Sequence, residues 1–221
     1  SRCAQCHSAE GFAFAARYSI PPIEGAPAID GFTCEQCHPA DAFVDADPAR
    51  YYVAEVTFPS GVTIENDDEN PDDSFLCMTC HQGRQSKTQV DDKIASNPGG
   101  PHSFSNVHYL AAGPTLYGAV AAVGYEYDEN SFIGTRTYEG KWEHAGPTDD
   151  AQCAFCHLAD HSFRAQSTMG CGCHGNPDDP KDIRTARGWD YDGDGDAVNE
   201  RLEDEVHEYA DRLIEAMHDY T

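Results

Sequence analysis

Five times along this chain a pair of cysteines is followed at once by a histidine. Four copies keep one spacing: CAQCH from Cys3, CEQCH from Cys34, CMTCH from Cys77 and CAFCH from Cys153. A fifth, GCGCHG at residues 170–175, has one residue fewer between its cysteines. All ten cysteines fall in these pairs. An even number of cysteines in a secreted chain reads by default as a disulfide framework. Disulfides need no histidine beside them, and zinc sites built on paired cysteines place theirs several residues away. Two thiols with a histidine directly after the second is the attachment pattern of haem c. The thiols bond the two vinyl groups and the histidine binds the iron.

Composition leads the same way. Leu, Ile, Val and Phe together number 34, about 15% of 221 residues, and the formal net charge is −25. Such a chain falls on the disordered side of the composition rule. Yet Cys, His, Tyr and Phe are plentiful and long polar repeats are absent, so something other than aliphatic side chains is expected to fill the core. Covalently bound macrocycles would do so. Strong acidity argues against nucleic acid and anionic lipid as partners, and no membrane-spanning run is present. The start at Ser1-Arg2, directly before the first motif, reads as a mature, processed product.

The expected haem-attachment residues are Cys3, Cys6 and His7; Cys34, Cys37 and His38; Cys77, Cys80 and His81; and Cys153, Cys156 and His157. Each histidine of these sets is the expected first axial ligand. Methionine is scarce: Met78 lies inside a motif and Met217 in a helix stripe, with Met169 the only other. Histidine is therefore expected on both sides of each iron, with His102, His108, His144 and His161 as candidates. His161 follows His157 by four residues, which on a helix puts both on one face. It should then serve a neighbouring iron. His207 and His218, three helical turns apart, share a face turned from the apolar stripe, toward solvent or a partner chain.

The fifth copy, Cys171, Cys173 and His174, is read as a further haem site. Two residues of extended chain span about 6.6–7.2 Å, comparable with the reach of a helical pair, and Gly170, Gly172 and Gly175 would let the backbone leave the helix. A strained disulfide and a lost site are the alternatives. Asp190, Asp192, Asp194 and Asp196, with Gly195, match the start of a calcium loop. Position twelve would be Arg201, so Glu200, Glu203 or a carbonyl must replace the usual bidentate glutamate. The competing reading is an acidic turn capping the following helix.

One domain over residues 1–221 is expected, with little regular structure. YYVAEVTFPSGVTIEN reads as a β-hairpin turning at Pro59-Ser60-Gly61. NVHYLAAGPTLYGAVAAVGYEY reads as partly helical and broken by Pro114. After the acidic loop 190–201, Val198, Leu202, Val206, Tyr209, Leu213 and Met217 form one stripe of a C-terminal amphipathic helix to about residue 220, expected to pack in a core.

The motifs as a set resemble the multihaem c-type cytochromes. LCMTCHQGRQS, HSFSNVHYLAAGPTLYG, CAFCHLADHSF and DYDGDGDAVNERLEDEV are similar to stretches of secreted multihaem cytochromes of metal-respiring bacteria and archaea, some of which polymerise into conductive nanowire filaments. The resemblance covers most of residues 30–215. It implies a fold wrapped around stacked haems, bis-histidine ligation and an extracellular or periplasmic location. It also implies redox proteins or extracellular acceptors as partners and, in the filament-formers, a histidine donated across a homopolymer interface. Two departures stand out: PADAF follows the second motif without a nearby histidine, and the last motif is short. The rival readings are a soluble periplasmic shuttle, a multihaem oxidoreductase with one open iron position, and a non-redox calcium- or zinc-stabilised module.

Overall fold

The computed structural model describes residues 3–18, 33–44, 49–108, 110–124, 141, 153–157, 161–164 and 201–220. His144, the short motif Cys171, Cys173 and His174, and the acidic loop with Asp190, Asp192, Asp194, Asp196 and Glu200 lie outside the described residues. The chain separates into two units, Ser1–Cys153 and Ala154–Thr221. Short helices, irregular connections, one small hairpin and a C-terminal helix make up the described chain.

The first unit begins with helices α1 (Ala4–His7) and α2 (Ala9–Tyr18). Gly11 lets them touch: a β-carbon there would overlap the Ala4 carbonyl and lie 2.9 Å from Ala4 Cβ. The hairpin forms where its alternation predicts. Strand β1 (Glu55–Thr57) pairs antiparallel with β2 (Thr63–Glu65), placing Val56 opposite Ile64. Gly61 adopts φ +90° in the turn, a conformation that costs glycine little. Asn66 then organises the acidic loop. Its side-chain amide donates to the carbonyls of Val53 and Asp72 at 3.0 and 3.2 Å, and its oxygen accepts from Asp72 N–H at 2.8 Å.

That loop delivers the chain into α3 (Ser74–His81), followed by α4 (Lys87–Ser96) and α5 (Ala112–Ala121). Ser86 and Gln89 form a capping box at the start of α4. The Gln89 amide also donates to the Pro59 carbonyl at 2.9 Å, tying α4 to the hairpin turn. Pro114 does not break α5. It sits in the first turn, where its missing N–H costs nothing; the interruption comes at Gly118, with φ 49° and ψ −126°.

A core of Phe12, Ala16, Val53, Val56, Phe58, Phe75, Leu76, Met78, Tyr117, Ala121 and Val123 joins these elements. It mixes four aromatic rings with three valines, Leu76, Met78 and two alanines. The second unit contains α7 (Leu202–Tyr220); α6 (Cys153–Cys156) lies at the division between units. The stripe expected to pack in a core is exposed: Val206 is 56%, Tyr209 62%, Leu213 61% and Met217 60% accessible. Among the described residues no helix is long and apolar enough to cross a membrane.

Candidate haem-attachment sites

Each full motif folds into a single short turn of helix. The first lies on α1, the third ends α3 at His81, the fourth opens on α6, and the second makes a 3₁₀ turn, Cys34–Gln36. That turn is locked by Thr33, whose N–H donates to Gln36 Oε1 at 2.6 Å. Cys6, Cys34, Cys37, Cys77 and Cys80 form no disulfides. Helical Cys-x-x-Cys is thus held open, both thiols on one side of a turn.

The first unit gathers motifs one to three, and Cys153 of motif four, around α3. Motif one reaches it through Gln5, whose amide donates to the Thr79 carbonyl at 3.2 Å. The Cys80 thiol also hydrogen-bonds to Cys6. The bond and burial push the Cys80 thiol up, while the same bond holds Cys6 below the ordinary thiol value. Cys77 is likewise pushed up by its hydrogen bond with Cys153 and by burial. The Cys153 N–H donates to the buried Ser74 hydroxyl at 2.8 Å, fixing the start of motif four at the start of α3. Motif two is linked by the ion pair Arg50–Asp73 at 3.0 Å and by Tyr51 N–H, which donates to the Cys37 carbonyl at 2.9 Å. Burial pushes the Cys37 thiol up. Thiols of different motifs therefore lie within hydrogen-bond reach of one another.

The histidines carry the most decisive geometry. The Nδ1 of His38 lies 2.9 Å from the Ala49 carbonyl, that of His81 2.7 Å from the Leu110 carbonyl, and that of His157 2.9 Å from the Phe163 carbonyl. A carbonyl oxygen only accepts, so each Nδ1 is the protonated nitrogen and the lone pair of the neutral ring sits on Nε2. Histidines that bind metals are held in this way, the second nitrogen donating to a carbonyl or carboxylate that fixes tautomer and ring direction. The attachment residues fit haem c on this ground. Motif one differs: the His7 ring stands against the ring of His108 at 6.2 Å between centroids, planes at 79°.

Of the other candidates, His102 and His161 are exposed and His108 is half-buried. The expected helical face shared by His157 and His161 is not formed, because α6 ends at Cys156 and His161 has φ 66°. His207 and His218 are exposed on α7. Among the described residues no three His, Cys, Asp or Glu side chains are grouped to hold a free metal ion. The carbonyl partners Ala49, Leu110 and Phe163 were invisible to sequence reasoning, since a backbone oxygen carries no residue signature.

Over 106 residues the chain is 34% identical to the C-type polyheme cytochrome OmcB of Geobacter sulfurreducens, and 31% identical to the C-type polyheme cytochrome OmcC of the same species. The likeness supports a multihaem c-type cytochrome. The aligned stretch is 45% of this chain but only 14% of OmcB and 13% of OmcC. No protein-family profile matches the chain, and no solved structure matches it.

Proposed function

We propose that this chain is an electron carrier, holding haem c at its four full motifs and at the short one, and working outside the cytoplasm. The observation that carries the reading is the shared arrangement of His38, His81 and His157. Each imidazole gives its Nδ1 proton to a backbone carbonyl and keeps Nε2 free of it. Bound there, haem supplies a reversible one-electron centre. The chain's own residues then do three things: cysteines anchor, histidines ligate, and α3 keeps neighbouring sites close through the Thr79 carbonyl and the Ser74 hydroxyl. Second ligands are expected from His102, His108, His144 and His161. Assembly into a homopolymer belongs to the same reading; the exposed face of α7, with His207 and His218, and the filament-forming relatives in the resemblance support it. Calcium at Asp190, Asp192, Asp194 and Asp196 is proposed as a structural ion, and extracellular acceptors as partners.

The test is an intact-mass measurement on the secreted chain with a haem count after denaturation. Four or five haems per chain are expected, five if the short motif is loaded. A mass equal to the bare polypeptide, with no Soret band, would sink the proposal.

A further inference from the structure

One strap of chain, described at residues 106–108 and 110–111, touches two attachment sites at once. Its Leu110 carbonyl accepts the Nδ1–H of His81 at 2.7 Å, and its His108 ring faces the ring of His7. Its described residues are pinned by hydrogen bonds. Asn106 Oδ1 accepts the His108 N–H at 2.8 Å, the Val107 carbonyl accepts the Arg84 N–H at 3.1 Å, and the Leu110 carbonyl accepts the Ala112 N–H at 2.7 Å. It is also strained. His108 has φ 74° and Leu110 φ 52°, conformations that L side chains resist and that persist at ligand clamps.

The spacing of the two rings is what chemistry would ask of them. Two metal–nitrogen bonds of about 2.0 Å, plus two ring radii of about 1.1–1.2 Å, place opposed imidazoles about 6.3 Å apart between centroids. His7 and His108 are 6.2 Å apart. An edge-to-face contact between two rings covers the same range; the left-handed backbone of His108, pinned by Asn106 Oδ1, holds its ring at that spacing.

The second unit repeats the device. His161 has φ 66° and Phe163 φ 49°, and the Phe163 carbonyl accepts the Nδ1–H of His157 at 2.9 Å. Four of the five described non-glycine residues with left-handed φ belong to these two straps. In both, a histidine stands two residues before the carbonyl that orients a motif histidine.

We propose that His108 is the second axial ligand of the iron held by Cys3, Cys6 and His7, while its strap orients His81 at the adjacent site through Leu110. The assignment rests on the haem c reading above. One segment then couples two redox centres: a movement that draws His108 from the first iron also pulls the carbonyl from His81.

The experiment uses the full secreted chain. His108→Ala is expected to leave the haem count unchanged while adding one high-spin, carbon monoxide-binding haem per chain. In a Cys3→Ala/Cys6→Ala background, which removes the first haem, His108→Ala should add none. His108→Met keeps six ligands and should raise the potential of one haem, because methionine ligation does so; it also serves if the alanine variant is not secreted. An unchanged spin state in His108→Ala and an unchanged potential in His108→Met would overturn the assignment. A high-spin haem persisting without Cys3 and Cys6 would overturn it too, since His108 would then serve another iron. A wild-type chain without haem would remove the assignment and the reading beneath it together, whereas full loading with either earlier result removes the assignment alone.

Discussion

Three imidazoles in this chain have lost a choice that histidine in water keeps. The Ala49, Leu110 and Phe163 carbonyls each claim an Nδ1 proton, 11, 29 and 6 residues away in sequence. The cysteines and histidines of the motifs stand out in the sequence because each set falls in one short string. Their orienting partners were not, because they are backbone atoms brought near by tertiary folding. Glycine transmits the effect. Gly113 lies so close to α3 that a β-carbon would sit 3.0 Å from Met78 Cγ and 3.1 Å from the His81 carbonyl oxygen. Both neighbours are fixed, Met78 by burial in the core and the carbonyl by its helix. Gly113→Ala should therefore push α5 off α3 and destabilise the fold by about 1–3 kcal/mol, the usual cost of overpacking. Denaturant midpoints of the two proteins check it; a change below about 0.5 kcal/mol would show that α5 yields freely.

Among the elements, the hairpin was legible and the helices only partly so. Strict alternation around Pro59-Ser60-Gly61 specifies β1, β2 and their register. In α5 the sequence pointed to Pro114 as the break, but a proline in the first turn loses no helical hydrogen bond, and Gly118 bends the helix instead. For α7 the periodicity was read correctly and its burial was not. A stripe says which residues share a face, and nothing about whether another surface covers it. Since Tyr209 and Leu213 are more than half exposed, Tyr209→Ala and Leu213→Ala should each alter monomer stability by no more than about 0.5 kcal/mol. A loss of about 2–5 kcal/mol, typical of a buried leucine, would mean the face is covered in the folded protein. Tyr117 on α5 gives a test in pH. Burial pushes its phenol up to about 12 from the ordinary 10. The neutral form is the one the fold favours, so this contribution is complete below pH 10 and is lost as pH rises through about 12. Tyr117→Phe removes the ionisation, and far-UV circular dichroism should place its alkaline unfolding at higher pH than that of the parent chain.

At the scale of the whole molecule, charge would govern how the proposed redox partner approaches. The polypeptide carries a formal −25, to which the propionates of the proposed haems would add. Part of that charge sits next to the motifs: Asp67, Asp68 and Glu69 are exposed in the loop that leads into α3. A field of one sign raises the encounter rate of oppositely charged reactants by about 10–10³-fold. It reaches about 30 Å at 0.01 M salt and about 10 Å at 0.1 M. Reduction by a small cationic donor should therefore slow by about tenfold or more over that change in ionic strength, while reduction by an anionic donor should accelerate. Stopped-flow rates at the two salts, read at the Soret band, give both slopes. If electrons enter near α3, replacing Asp67 and Asp68 by Asn and Glu69 by Gln flattens both slopes out of proportion to the three charges removed. Slopes that scale only with total charge would place the entry point elsewhere, because a screened field acts chiefly on what lies within one Debye length of the reacting edge.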